Sequence, residues 1–253
     1  LGIKIVLHEQ NILPGITNRL LSHVAERIYT SFEKAGTGLK SEKVRFTGNP
    51  VRKEFLENSL NHQKINCPEP ENSEKPFTVV VAGGSQGSHA INMVISGALE
   101  YLENKDRFYF IHQTGGSDEK VVADAYLRHN TASMVKPFFY DMSDQYRKAA
   151  LIICRSGATT VAEITAMGKG VIFIPFPKAA DNHQVLNARW LADAGAVELI
   201  LEKDISPRLL ARRLKYYSSN PEALALMMSR SKDFGKPGAA KEIVDDCYDL
   251  LGA

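Results

Sequence analysis

From residue 77 onward the chain alternates short, continuous apolar runs with helical patterns, and this alternation constrains its fold more than any other feature. Strand-like runs at 77–82, 108–112, 133–135, 151–154, 170–174 and 197–200 are separated by helix-like stretches at 88–102, 119–128, 142–149, 158–167 and 183–194. The runs are apolar throughout rather than alternately apolar and polar, which is the pattern of strands covered on both faces. Strand–helix units built from such strands imply an α/β fold with a doubly wound parallel sheet. Ligands of these sheets sit outside the carboxyl ends of the strands, so functional residues are expected in the strand-to-helix loops.

Residues 58–76 are polar and aperiodic, carry Pro68, Pro70 and Pro76, and read as a linker. Ahead of them lie strand patterns at 3–8, 27–31 and 44–46 and helix patterns at 15–24 and 51–56. So few strands are too small a set for an independent sheet. Residues 1–57 are therefore expected to be the last part of a larger first domain. The first residue is Leu1, already in a strand-like run, so a natural start further upstream is expected. Residues 77–236 would form a ligand-binding domain. The tail reads as helices at 207–217, 221–232 and 239–251, the last following the breakers Gly235, Pro237 and Gly238. Residues 237–253 would form a separate C-terminal helix able to pack back on the first domain.

Composition removes several classes. With 31 Lys and Arg against 29 Asp and Glu the net charge is +2, and no dense basic patch occurs, which argues against a nucleic-acid partner. Cys67, Cys154 and Cys247 are odd in number and far apart, with no CxxC pair, so neither a zinc site nor a disulfide framework is indicated and a reducing compartment fits. No apolar run approaches the ~20 residues of a membrane span, so any membrane contact would be peripheral.

The loop Gly83-Gly84-Ser85-Gln86-Gly87 follows one strand and opens a helix. Glycines let the backbone approach a ligand closely, and the N–H groups and dipole of the helix favour an anion. The pattern is neither GxGxxG nor GxxxxGK[ST], so nicotinamide and P-loop readings are weak. It does match G-x-S-x-G, the nucleophile elbow of α/β-hydrolases, which would make Ser85 a nucleophile. Asp181 and His183 are nominally in order for such an enzyme, yet two residues apart they would be hard pressed to align as an acid–histidine pair. A simple turn without ligand is the third reading.

His112-Gln113-Thr114-Gly115-Gly116 supplies a second glycine loop on the same rim. Arg155-Ser156-Gly157 leave a further strand, with Thr159, Thr160 and Glu163 in the first turns of the next helix. Thr160-x-x-Glu163 reads either as a capping box or as a phosphate-facing helix start whose carboxylate takes ribose hydroxyls. Asp181-Asn182-His183-Gln184 and Asn187 read as a helix cap with a polar first turn or as a surface for sugar hydroxyls. Arg52 is either a solvated helix-start arginine or a bidentate partner for phosphate. The chain has no D-x-D pair to hold a metal–diphosphate complex.

Together HEQN…PG.TN, GNPVR, GGSQGS, CRSGATTVAE and PF…DNHQ..NA resemble, in order and spacing, the MurG family of bacterial glycosyltransferases. The resemblance spans nearly the whole chain. It implies a GT-B fold, in which two Rossmann-like domains face each other across a cleft, and transfer of N-acetylglucosamine from UDP-N-acetylglucosamine to lipid-linked muramyl-pentapeptide without cofactor or metal. It further implies peripheral attachment to the cytoplasmic face of the bacterial inner membrane. Carried onto this chain, Gly84 and Ser85 correspond to the diphosphate loop with Arg52 beside it. The backbone of Phe139 corresponds to the uracil-reading position, with Met142 nearby, and Glu163 to the ribose ligand. Thr160 lies at the phosphate-facing helix start. Gln184 corresponds to the sugar-hydroxyl ligand, His183 stands where a second glutamine is common, and Asn11 lies on the acceptor side. The family's first glycine-rich loop, GGTGGH, which carries the expected general-base histidine, has no counterpart here. The chain alone is therefore expected to bind donor and transfer little. A UDP-N-acetylglucosamine 2-epimerase and a non-catalytic nucleotide-binding module are the remaining alternatives.

Overall fold

The computed structural model describes residues 3–35, 38–57, 75–84 and 86–252. Cys67, Ser85 and most of the expected linker fall outside these residues. A first, three-stranded sheet is formed by β1 (Val6–Glu9), β2 (Arg27–Thr30) and β3 (Val44–Phe46), parallel and in sequence order. Two short helices accompany it, α1 (Ile16–Leu21) and α2 (Lys53–Leu56). β1 begins later than its apolar run because the Ile5 N–H is taken by the Glu26 carboxylate, and the ladder starts where Val6 faces Arg27.

The second sheet holds six parallel strands: β4 (Phe77–Ala82), β5 (Phe108–Gln113), β6 (Ala132–Lys136), β7 (Leu151–Cys154), β8 (Gly170–Phe173) and β9 (Glu198–Leu199). Their order is β6-β5-β4-β7-β8-β9, the Rossmann arrangement. The intervening helices are α3 (His89–Tyr101), α4 (Glu119–Arg128), α5 (Met142–Lys148), α6 (Ala158–Met167) and α7 (His183–Asp193). The tail adds α8 (Pro207–Ser219), α9 (Pro221–Asp233) and α10 (Ala239–Leu251).

Continuous apolar strands are explained by two buried faces. Val79 and Val81 of β4 point into one core with Ile91, Ile95 and Leu99 of α3, Phe108 and Phe110 of β5, and Leu210 and Leu214 of α8. Val80 and Ala82 point into the other with Ile152, Val161, Ile164, Phe173 and Leu191. Phe32 and Phe55, from the first 57 residues, belong to that second core. The small sheet is thus anchored on the large one by shared apolar burial, the main favourable contribution to folding.

α10 also reaches back. Asp246 Oδ2 accepts from Tyr29 Oη at 2.8 Å and from Arg27 Nε at 3.2 Å, both on β2, and Lys236 lies 4.7 Å from the centre of the Phe46 ring. No helix among the described residues is long and apolar enough to cross a membrane.

Candidate functional site

The strand order reverses between β4 and β7, and the loops leaving these two strands flank the crevice that such a reversal opens. The first is the 83–88 loop. Its glycines have different physical causes. A Cβ on Gly83 would lie 2.3 Å from the Ser88 nitrogen, and one on Gly87 would lie 2.0 Å from the Thr114 carbonyl. Both positions are dictated by backbone packing. Gly84 has φ +98 and open space around its Cα, so it is the glycine that leaves room for an incoming group. Ser88 caps α3, its hydroxyl accepting from the Ile91 N–H at 3.5 Å.

The 112–116 loop packs backbone to backbone on the first: a Cβ on Gly115 would lie 2.4 Å from the Gln86 carbonyl. The buried Gln113 side chain ties the rim together. Its Nε2 donates to the Gly84 carbonyl at 3.0 Å and its Oε1 accepts from the Phe139 N–H at 2.9 Å. Phe139 is 3% exposed and belongs to the second core. Met142 opens α5 and packs on the same core.

Behind this rim His112 is fully buried. Asn92 donates through Nδ2 to the Thr114 carbonyl and to Asp118, so its Oδ1 must accept, and His112 Nε2–H donates to it at 3.0 Å. His112 Nδ1 then accepts from Tyr126 Oη at 3.1 Å. Burial holds the imidazole down at about 3, so it is neutral at ordinary pH.

The second loop carries Arg155, which knits three strand ends. Its Nη1 donates to the carbonyls of Ile174 and Pro175 at 2.9 Å each, and its Nη2 to Ser88 Oγ at 2.6 Å and Glu202 at 2.5 Å. α6 starts at Ala158 with Gly157 as its N-cap and no side-chain cap. The capping-box reading of Thr160 and Glu163 therefore fails: Thr160 is already inside the first turn, half-buried. Glu163, 5% exposed, instead accepts from Arg52 Nε at 2.9 Å. Burial raises the Glu163 carboxyl and Arg52 opposes that rise. Arg52 stacks over Phe55 at 4.5 Å. It thus meets the carboxylate that the resemblance assigns to ribose.

On the opposite rim Asp181 and Asn182 adopt left-handed backbone, φ 50 and 53, at the entry to α7. Such strain in non-glycine residues persists where the surroundings enforce it, commonly at binding sites. Asn182 is the N-cap residue but makes no side-chain cap bond. His183 opens α7 and is half-buried. Gln184 is fixed by two bonds: its Oε1 accepts from the Phe176 N–H at 3.0 Å, and its carbonyl from Ser156 Oγ at 2.8 Å. Its Nε2 is the donor a hydroxyl would meet.

Asn187, wholly buried, donates to Asn11 Oδ1 at 3.1 Å and accepts the Ile12 N–H at 3.0 Å. Asn11 is thereby tied to α7 across the two halves. Its loop is set by Glu9, whose carboxylate accepts from the N–H groups of Asn11 and Gly15 and from Asn18 Nδ2.

A Rossmann-order sheet with glycine loops at its reversal agrees with the matched sequence family. The description "Glycosyltransferase family 28 C-terminal domain" fits residues 78–243, from β4 into α10. The chain belongs to glycosyltransferase family 28. A family member from Myxococcus xanthus, named UDP-N-acetylglucosamine--N-acetylmuramyl-(pentapeptide) pyrophosphoryl-undecaprenol N-acetylglucosamine transferase, is 38% identical over 99% of this chain and 64% of its own length. One of the same name from Syntrophus aciditrophicus is 39% identical over 99% of this chain and 68% of its own length. The chain thus spans about two thirds of these relatives. The crystal structure of Acinetobacter baumannii MurG superposes with a TM-score of 0.80 at 30% identity, covering 96% of this chain and 67% of that one. A UDP-GlcNAc 2-epimerase from Neisseria meningitidis, bound to UDP-GlcNAc, has a TM-score of 0.66 at 19% identity over 98% of this chain and 69% of its own, and shares the fold. Membership of family 28 favours a transferase over the nucleophile elbow. Among the described residues no cluster of three or more His, Cys, Asp or Glu is placed to hold a metal.

Sequence reasoning gave no individual role to Gln113 or Arg155, and read Asn187 only within a helix cap or a sugar-hydroxyl surface, whereas the structure buries it against Asn11 and Ile12. Each is a buried or half-buried polar side chain at or just past a strand end or a helix start. Their signal, polarity inside an otherwise apolar pattern, was present but has no unique reading without partners.

Proposed function

We propose that this chain is the donor-binding half of an inverting transferase, moving N-acetylglucosamine from UDP-N-acetylglucosamine to lipid-linked muramyl-pentapeptide for peptidoglycan synthesis. It would act in peripheral contact with the cytoplasmic face of the bacterial inner membrane. The observation that carries the reading is the crevice at the β4–β7 reversal in a family 28 domain, with the 83–88 loop and α6 on its floor and Gln184 on its rim. The relatives' printed names supply the donor and acceptor.

In this reading the diphosphate lies over Gly84 and Ser85 and the α3 N-terminus, where N–H groups and the helix dipole stabilise anionic oxygen. Thr160 lines the start of α6 on the same side. The Phe139 carbonyl takes the base, and Met142 packs nearby. Glu163 accepts the ribose hydroxyls. Arg52 has donors enough to keep Glu163 ionised and reach a phosphate oxygen at once. Gln184 and His183 meet the sugar hydroxyls, and Asn11 faces the acceptor.

The acceptor's C4 hydroxyl would attack the anomeric carbon as the bond to the β-phosphate oxygen breaks, its electron pair remaining on UDP. The hydroxyl proton passes to a general base. The loop N–H groups and Arg52 stabilise the charge left on UDP.

Titration calorimetry tests this directly. UDP-N-acetylglucosamine should bind, and its C4 epimer should bind more weakly, with the difference lost in Gln184→Ala. Absence of UDP binding together with fluorophosphonate labelling of Ser85 would replace the transferase with a hydrolase.

A further inference from the structure

We infer that Arg155 and Ser156, the two residues that leave β7, are positioning residues that set Gln184 against the diphosphate corner and so give the site its preference for N-acetylglucosamine over the C4 epimer. This rests on the UDP-sugar reading above. Ser156 is wholly buried, and its hydroxyl donates to the Gln184 carbonyl at 2.8 Å. It thus fixes the main chain in the first turn of α7. The Gln184 side chain is fixed separately, through Oε1, which accepts from the Phe176 N–H at 3.0 Å. That anchor depends in turn on Arg155. Its Nη1 donates to the carbonyls of Ile174 and Pro175, the two residues before Phe176, and its guanidinium lies 5.5 Å from the centre of the Phe176 ring. Adjacent residues therefore hold the backbone and the side chain of one glutamine by separate routes.

The same arginine reaches the phosphate side. Its Nη2 donates to Ser88 Oγ at 2.6 Å, and Ser88 is the N-cap of α3. Glu202 accepts from Nη2 at 2.5 Å and balances the charge of a side chain that is only 12% exposed. One rigid, planar fork thus sets the spacing between the diphosphate corner and the sugar rim, and a lysine, with its compact ammonium, cannot span the same partners. Epimers at C4 differ only in the direction of one hydroxyl on the same carbon. Telling them apart requires the Gln184 Nε2 donor to be held to within about 0.5 Å, which is the work of the residues behind it. Ser156 has no exposed surface with which to touch a ligand, so its effect must pass through Gln184.

The test uses the 253-residue chain as wild type, Ser156→Ala, Arg155→Lys, Gln184→Ala and the Ser156→Ala/Gln184→Ala double variant. Calorimetry gives dissociation constants for UDP, UDP-N-acetylglucosamine and UDP-N-acetylgalactosamine, and a thermal melt confirms folding. In Ser156→Ala the preference for the first sugar over the second should fall at least about threefold, while UDP itself changes less than about twofold. Arg155→Lys should lower the preference as far or further and also weaken UDP by about tenfold, because Ser88 loses its partner. In the Gln184→Ala background, Ser156→Ala should leave the affinity for UDP-N-acetylglucosamine unchanged, since its effect runs through Gln184. A folded Ser156→Ala or Arg155→Lys that keeps the wild-type preference, or weakens all three ligands in parallel, overturns the inference. So does an additive double variant, or a wild type that binds UDP and prefers neither sugar. If one of the two single variants fails to fold the other decides, and unfolding of both makes the pair merely structural and overturns the inference. A wild type that binds no UDP sinks the underlying reading instead.

Discussion

At Glu163 burial raises the carboxyl's pKa while the Arg52 guanidinium, 2.9 Å away, pulls it back. Removing the arginine leaves a buried, uncompensated charge. Because Arg52 is itself half in solvent, Arg52→Ala should cost only about 1–2 kcal/mol, below the range for fully buried pairs. The pH effect is more diagnostic. If ribose needs the ionised carboxylate, UDP affinity in Arg52→Ala should begin to fall, as pH is lowered, at a higher pH than in wild type; calorimetry across pH reads this. His112 gives a stability prediction of known sign. Its folded value of about 3 lies below the ordinary histidine range, so between pH ~6.5 and 3 the unfolded chain takes up a proton that the folded chain refuses. Stability should therefore fall as pH falls through that window, by up to about 1.4 kcal/mol per unit. Urea midpoints should show a shallower acid decline in His112→Gln.

Among the elements, the 83–88 loop was legible as a glycine-rich corner, but its three glycines were not equivalent. Gly87 has φ +76 and a backbone carbonyl where a Cβ would go. Gly87→Ala combines left-handed strain with overpacking and should cost about 3 kcal/mol or more, measured by chemical denaturation. Type and rough extent of the long helices and buried strands followed from periodicity. The ends did not: α1 stops at Leu21 rather than running to residue 24, where Ser22 Oγ turns back onto the Arg19 carbonyl. The supposed box of Thr160 and Glu163 failed because Gly157 caps α6 and Arg52, 111 residues away in sequence, claims the carboxylate.

On the scale of the molecule, two sheets share one core through Phe32 and Phe55, and α10 is held to β2 through Asp246. Tyr29 is 1% exposed and gives its hydroxyl to Asp246. Tyr29→Phe should therefore lower stability by about 1 kcal/mol. Truncation after residue 236 should lower the melting temperature further while changing UDP affinity less than about threefold, since the side-chain bonds of α10 through Asp246 go to β2. A large loss of affinity would show that α10 helps shape the site. The residues before and within β1 and in and after α1 also expose Ile3, Ile5, Val6, Ile16, Leu20 and Val24.

The sequence by itself determined the α/β class, the parallel sheet and the loops that flank the crevice. Those depend on local periodicity, on glycine at turns and on burial of both strand faces, all written in short windows. Only the tertiary structure decided the partners: Arg52 on Glu163, Asn187 on Asn11, Arg155 across three strand ends, and Gln113 between Gly84 and Phe139. A polar side chain shows in sequence that it needs a partner. Which partner it finds depends on where strands distant in sequence are brought side by side.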